Sequence, residues 1–232
     1  LLIEIFTLQD AFQQKAMGQK DWWTVNELNG KPVDYTIAMI GEVGEGIESL
    51  DFKWWSGLGE KDDENFIIEL VDALHFEMSN SMKIFYDVAG FLSWDGNILE
   101  RNAWRFFIDL TEQILKSNSR GYGENIDRDV RLNSIKEFVY QSLKKDRIHR
   151  KITPYQNNVK VVEKLGKNNY KSIFWLFEAA ATFGISFETI IKRYKVKNAL
   201  NVVRKMNGYK EGTYEKMWAT MDSDKPQEDN KV

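Results

Sequence analysis

The segment from Phe66 to Met78 restricts the fold more than any other part of the sequence, because it combines helical spacing with apolar residues on nearly every side. A helix turns by about 100° per residue, so these apolar side chains cover its whole circumference. Such a helix is stable in water only where other elements surround it. Polar residues nevertheless interrupt it at intervals of three, at Glu69, Asp72 and His75. The chain must therefore build its core around this helix and supply partners for two carboxylates.

A second acidic helix offers those partners. The stretch GEVGEGIESLDFKWW carries Glu42 and Glu45 one helical turn apart. An isolated pair of this kind is most often a solvated helix face, but Glu69 and Asp72 lie in an apolar helix, where an unpaired carboxylate costs several kcal/mol. Four carboxylates from two helices make an all-oxygen site that suits Mg²⁺ or Mn²⁺ and leaves positions for phosphate oxygens. Di-iron helical bundles carry two ExxH motifs, whereas this sequence has a single DxxH motif, so an iron site is disfavoured.

The chain as a whole predicts an all-α fold. Three prolines in 232 residues and apolar residues at helical spacing indicate a multi-helix bundle with a central helical metal-binding core. We predict one domain over residues 1–221, in which residues 90–168 form a variable helical insertion. The tail, residues 222–232, has no apolar anchor and is predicted to be disordered.

Composition excludes several classes of function. A net charge of −3 with interspersed signs argues against a surface for nucleic-acid polymers. The absence of cysteine rules out thiolate catalysis and cysteine-bound metals, and two histidines give little basis for a serine–histidine triad. No apolar run approaches the roughly 20 residues of a membrane span, so we expect no membrane partner and a cytoplasmic location.

A basic helix near the C-terminus predicts a phosphate site. Lys197, Asn201 and Arg204 share one helical face, and Tyr209 lies just beyond the helix end. The cations suit the phosphates of a small molecule, and the amide suits the edge of a base. The glycine-rich stretch near residue 121 follows a helix and lacks the pattern of a nucleotide phosphate loop.

Three motifs in this order, EVGEGIESLDFKWW, IELVDALHF and KNALNVVRKMNGYKEGTYEKMW, resemble the dimeric all-α dUTPases of the MazG-like NTP pyrophosphatase superfamily. The resemblance covers residues 1–88 and 170–218. It departs from the family pattern at Gly44 and Gly46, which interrupt the acidic helix, at Phe52 in place of tryptophan and at Gln13 in place of asparagine.

The resemblance implies a homodimer that hydrolyses dUTP, and dUDP, to dUMP with Mg²⁺. Glu45 is expected to orient or deprotonate the attacking water. The implied metal ligands are Glu42, Glu45, Glu69 and Asp72. The implied contacts to the deoxyuridine nucleotide are Gln9, Gln13, Trp55, His75 and Asn201 at the base and sugar, and Lys197, Arg204, Tyr209 and Lys216 at the phosphates.

Two other functions remain open at this stage. A related pyrophosphatase acting on dCTP or on several dNTPs would use the same motifs. A helical interaction protein, in which salt bridges neutralise the acidic stripes, would need no metal at all.

Overall fold

The structure is a computed structural model that describes residues 1–50, 62–91, 102–117, 126–150, 159–209, 212–215, 217–220 and 223–228. The prediction of an all-α fold is confirmed, since the described residues form seven α-helices, one 3-10 turn and two short hairpins. The helices are α1 Leu2–Met17, α2 Tyr35–Glu48, α3 Asp63–Phe91, α4 Asn102–Ser117, α5 Arg128–His149, α6 Val159–Ala181 and α7 Phe187–Met206. The strands are β1 Glu27–Leu28, β2 Lys31–Pro32, β3 Met217–Thr220 and β4 Ser223–Glu228.

Helix α3 is the centre of the fold. It packs against α1, α2, α6 and α7, and most of its apolar residues are buried. Phe66, Ile67, Ala73 and Met82 are at most 2% exposed and together span about half of the helix circumference. Ile68 and Phe76, on the other half, are half-buried. The apolar character of this segment therefore had the structural consequence expected of it.

Local signals fix the ends of the helices that surround α3. Asp34 accepts a hydrogen bond from the Ile37 backbone N–H at 3.0 Å and caps α2. Ser186 caps α7 in the same way, through the Thr189 N–H at 3.2 Å. Gly184 follows α6 with a φ of 75°, a left-handed conformation that glycine adopts without strain. These caps set where α2 and α7 start relative to α3.

Residues 90–168 contribute to the core. α4 lies entirely within this stretch, as does α5, which packs along α6. Ile108, Leu115 and Phe138 from these helices are at most 4% exposed and belong to the hydrophobic core. The sequence predicted a short helix near 159–165 and a separate apolar helix from 171; these form one continuous helix, α6. Trp94, another apolar residue of the stretch 90–168, lies outside the described residues.

Both hairpins are short and lie outside the helical bundle. β1 pairs with β2 around a turn at Asn29 and Gly30, whose φ values are both positive. β4 pairs with β3 through backbone hydrogen bonds. The division into one domain and the disordered tail both stay predictions.

A second polar cluster lies on α3, on the side facing α5 and α6. Glu77 is 1% exposed and accepts hydrogen bonds from Lys145, from Ser142 at 3.0 Å and from Ser172 at 2.5 Å. Lys145 is fully buried and also donates to Ser81 at 3.0 Å. This cluster joins three helices through one buried ion pair, and the sequence analysis did not identify it.

None of the described helices combines the length and the apolar character that a membrane span requires.

Two glycines of α2 differ in their surroundings. A Cβ added at Gly46 would lie 3.1 Å from Cδ2 of Phe66 and 3.2 Å from Cβ of Glu69, whereas a Cβ at Gly44 would meet no atom within 4 Å. Gly46 therefore allows α2 to approach α3 closely at the position where both helices carry carboxylates. Gly44 has no such packing reason.

The same substitution at these two glycines should have different effects. Gly44→Ala is expected to raise the free energy of unfolding by about 1 kcal/mol, the usual gain for alanine over glycine inside a helix. Gly46→Ala should lack this gain, because Phe66 and Glu69 must move to admit the methyl group. Urea unfolding of both variants measures the difference. Equal stabilities would show that the close contact at Gly46 has no energetic weight.

Candidate active site

Four helices, α1, α2, α3 and α7, line one cavity of about 630 Å³. Every predicted site residue that the structure describes contributes to its wall. These residues are Gln9, Gln13, Glu42, Glu45, Glu69, Asp72, His75, Lys197, Asn201, Arg204 and Tyr209. Trp55 and Lys216 lie outside the described residues. The individual role of each residue stays a prediction.

Three carboxylates meet closely where α2 crosses α3. Glu42, Glu69 and Asp72 each place one oxygen within 4.8 Å of the others, and all three side chains are half-buried. Glu45 is exposed, lines the same cavity and is not a member of this close group. Its charge still acts on the neighbouring carboxylates. The geometry thus separates three convergent carboxylates from a fourth one beside them.

Burial and mutual repulsion make these carboxylates reluctant to ionise. Burial, followed by the charges of Asp72, Glu69 and Glu45, raises the pKa of Glu42 to about 8. Burial and the Asp72 charge also raise the pKa of Glu69. A hydrogen bond between the two carboxyl groups raises the pKa of Glu42 further and acts in the opposite direction on Glu69, so Glu42 is the group that retains the proton. A cation placed among these oxygens would remove the repulsion.

α7 supplies positive charge opposite this acidic group. Lys197 Nζ lies 2.8 Å from Oδ2 of Asp72, and both side chains are mostly buried. Burial raises the pKa of Asp72, and this ammonium group works in the opposite direction. Further along α7 the guanidinium of Arg204 lies over the Tyr209 ring, 5.5 Å from its centroid. The basic face predicted for this helix therefore faces the carboxylates across the cavity.

The glutamines of α1 are buried at the other end of the cavity. Gln9 is 1% exposed and Gln13 is 4% exposed. Both amide nitrogens donate to Ser79 Oγ, at 2.8 and 2.9 Å, and Gln13 Oε1 accepts from the Tyr35 hydroxyl at 3.2 Å. Gln9 Oε1 lies 2.9 Å from Nδ1 of His75. These amides therefore hold the wall in place through bonds within the protein.

Six cavity residues were missed in the sequence analysis. They are Phe12, Ala16, Met17, Tyr35, Phe76 and Lys205. Phe12 and Ala16 belong to the apolar stripe of α1, and periodicity does not distinguish a stripe facing a cavity from one facing the core. Lys205 follows Arg204, and only its position against the cavity separates it from Lys192 and Lys195 of the same helix.

The model of a protein family described as dUTPase matches residues 2–209 of the chain. The chain belongs to this dUTPase family. Membership makes it an enzyme, a dUTP diphosphatase of all-α fold, and confirms the resemblance drawn from the three motifs. The match also runs through residues 90–168, for which those motifs gave no guide. No curated protein matches the chain.

Proposed function

We propose that this dUTPase hydrolyses dUTP, and dUDP, to dUMP in a Mg²⁺-dependent reaction that releases pyrophosphate or phosphate. One observation carries the proposal: the carboxylates of Glu42, Glu69 and Asp72 converge in the wall of the cavity that Lys197 and Arg204 of α7 also line. Acidic and basic groups facing each other across a nucleotide-sized space suit a metal–phosphate complex.

The donor atoms of the cluster fit a hard divalent cation. All are carboxylate oxygens, and three lie close enough to contact one ion. The raised pKa values of Glu42 and Glu69 follow from burial and from the neighbouring negative charges. Mg²⁺ fits this site, and Mn²⁺ has the same ligand preference.

When bound, Mg²⁺ neutralises phosphate charge and polarises both the phosphate and a water molecule. The chain's own groups then have distinct tasks. Glu45, beside the close carboxylate group, is placed to orient the attacking water and to take its proton. Lys197 and Arg204 hold the phosphates and stabilise charge on the leaving group, with Tyr209 as a further phosphate contact. Asn201 contacts the base. The roles that the family resemblance implies for Lys216 at the phosphates and Trp55 at the nucleoside belong to residues outside the described part of the chain.

The ion pair between Lys197 and Asp72 has a consequence for substrate binding. An ammonium 2.8 Å from this carboxylate occupies one of the positions through which Asp72 would bind a cation. Metal binding at Asp72 therefore competes with Lys197. The displaced ammonium is then available to a phosphate oxygen within the same cavity.

A nucleotide assay tests the proposal. Release of pyrophosphate or phosphate from each of the four standard dNTPs, from dUTP and from dUDP is measured with Mg²⁺ and with EDTA. We expect turnover of dUTP with Mg²⁺ and none with EDTA, with dUMP as product. Equal rates on dUTP and dCTP would favour a pyrophosphatase that acts on several dNTPs. Turnover in EDTA would refute the requirement for a metal ion.

The stability of the metal-free protein should fall as pH rises. Glu42 has a pKa of about 8 in the folded state and about 4.5 as its ordinary value, so in this window the folded protein holds a proton that the unfolded chain has released. Its stabilising effect is complete below about pH 4.5 and is lost as pH rises through about 8. Mg²⁺ should therefore raise the melting temperature more at about pH 8 than at about pH 5.5.

Thermal melts in EDTA and in Mg²⁺ at both pH values check this prediction, with Glu42→Gln as the control. The neutral amide cannot titrate, so this variant should show a smaller pH dependence in EDTA. A wild-type melting temperature that rises between the two pH values and a Mg²⁺ effect independent of pH would contradict the prediction.

The homodimer and the cytoplasmic location remain proposals. Sedimentation at micromolar concentration tests the first, and a mass near that of a single 27.2 kDa chain would refute it.

A further inference from the structure

His75 brings a buried ring nitrogen without a partner to the wall of the cavity. The residue is 5% exposed and lines the cavity. Its Nδ1 lies 2.9 Å from Oε1 of Gln9, whereas its Nε2 is buried and has no hydrogen-bond partner in the described part of the chain. A buried polar atom left in this state is unfavourable, so the site gains if a bound molecule supplies the missing partner.

The surrounding hydrogen bonds fix which ring nitrogen carries the proton. Gln9 donates through Nε2 to Ser79 Oγ at 2.8 Å, and the Ser79 hydroxyl donates to the His75 carbonyl at 2.9 Å. Gln9 Oε1 therefore faces His75 and can only accept, so His75 Nδ1 must donate. On its other side Gln9 Oε1 accepts from the Tyr194 hydroxyl at 2.7 Å, and Asn198 Nδ2 donates to that hydroxyl at 3.3 Å.

The same hydrogen bonds hold the imidazole ring in one orientation, and burial keeps it neutral. Burial, together with the charge of Lys197, lowers the pKa of His75 to about 3. A neutral ring with its proton on Nδ1 has a bare Nε2, which is an acceptor. The Tyr194 ring lies against the imidazole with 4.2 Å between centroids and an interplanar angle of 31°. Nε2 of this cavity-lining residue is thus a fixed acceptor.

The position of this acceptor suits a base. Phe12 and Phe76 line the cavity together with His75, and aromatic side chains suit a flat ring. The amides of Gln9 and Gln13 are both bonded to Ser79 inside the protein. Uracil carries an N–H donor at N3, whereas cytosine carries a lone pair there. An acceptor facing N3 therefore favours uracil and repels cytosine.

We propose that Asn198, Tyr194 and Gln9 are positioning residues that hold His75 with its proton on Nδ1, so that His75 Nε2 accepts the hydrogen bond of uracil N3–H. This proposal rests on the proposed hydrolysis of dUTP. It assigns the enzyme's preference for uracil over cytosine to these four hydrogen-bonded residues. Sites that hydrogen-bond a substrate donor reject analogues without it strongly, because a buried group is left unpaired.

Steady-state kinetics on dUTP and dCTP test the assignment. His75→Phe should lower the ratio of kcat/KM for dUTP over dCTP about ten- to a hundredfold. Tyr194→Phe should lower it several-fold, mainly through KM for dUTP. Tyr86→Phe is the matched control, since its buried hydroxyl contacts Asp10 at 3.4 Å outside the cavity, and it should leave the ratio unchanged.

A sugar contact is separated from a base contact with 2′,3′-dideoxyuridine triphosphate. If His75 accepts from the base, wild type and His75→Phe should differ on this substrate by the same factor as on dUTP. If the difference disappears without the 3′-hydroxyl, the acceptor serves the sugar and the proposal is wrong. Turnover of dUTP with an unchanged base ratio in His75→Phe also refutes it.

The tautomer is read directly by ¹⁵N NMR of the imidazoles. The chain has two histidines, so a His149→Gln variant assigns the signals. We expect a protonated Nδ1 and a bare Nε2 in wild type near neutral pH, with the Nε2 signal shifting on addition of dUMP but not of dCMP. A protonated Nε2, or equal shifts with both nucleotides, overturns the proposal even if no triphosphate is hydrolysed. Absence of dUTP turnover by itself refutes only the proposed function.

Gln9→Glu should reverse the preference. A carboxylate beside Nδ1 favours the doubly protonated imidazolium, whose Nε2 donates. The variant is expected to gain on dCTP relative to dUTP, with both ring nitrogens protonated by NMR. An imidazolium with an unchanged base ratio would overturn the proposal.

Discussion

Glu69→Gln is expected to lower Mg²⁺-dependent hydrolysis of dUTP by more than about a hundredfold while leaving the metal-free protein at least as stable as wild type. Glu69 belongs to the convergent group together with Glu42 and Asp72. Loss of an outer-shell partner of a metal site costs ten- to a hundredfold, so loss of a direct ligand should cost more. The neutral amide also removes one charge from a repulsive group.

Steady-state kinetics at increasing Mg²⁺ and thermal melts in EDTA measure the two effects. Glu48→Gln is the matched control, because Glu48 is exposed on α2 and does not line the cavity. This control should keep wild-type kcat/KM. Full activity in Glu69→Gln would refute the role of this carboxylate, and loss of both activity and folding would indicate a structural role.

Lys145→Met is expected to lower the free energy of unfolding by about 3–5 kcal/mol, the largest stability effect anticipated for a single change in this chain. Lys145 is fully buried against Glu77, which is 1% exposed. Among the described residues, removing the ammonium leaves a buried carboxylate with the hydroxyl groups of Ser81, Ser142 and Ser172 as its side-chain donors.

Two companion variants make this result specific. The neighbouring Lys144, which lies over the exposed Tyr140 ring at 5.6 Å, should tolerate the same change to methionine with a loss of at most about 1 kcal/mol. The double variant Glu77→Met with Lys145→Met should recover part of the loss, because no unpaired charge then stays buried. Urea unfolding of Lys145→Met that matched wild type would refute the buried ion pair.

The sequence was enough to predict the group of carboxylates, because acidic residues in an otherwise apolar helix can be recognised from neighbouring residues alone. Glu69 and Asp72 interrupt an apolar helix, and a helix of that kind must lie at the centre of the fold. Asp34 and Ser186 are N-cap residues, a signal that depends only on neighbouring residues, so the starts of α2 and α7 can also be predicted from the sequence. The face shared by Lys197, Asn201 and Arg204 follows from helical spacing alone.

Features that depend on contacts between residues far apart in the chain could not be predicted from the sequence. Glu77 resembles any surface glutamate until α5 brings Lys145 beside it. The bonds of Gln9 join α1 to α3 and α7, across 66 and 185 positions of sequence. The continuity of α6 was missed because its first part is polar, and its pairing with α5 overrides that local pattern.

Anomalous diffraction from crystals grown with Mn²⁺ and a non-hydrolysable dUTP analogue locates the metal directly. The account predicts an anomalous peak bonded to oxygens of Glu42, Glu69 and Asp72, with Lys197 moved from Asp72 to a phosphate oxygen. An analogue bound in the cavity with no peak at these carboxylates, and with Lys197 still paired to Asp72, would contradict it.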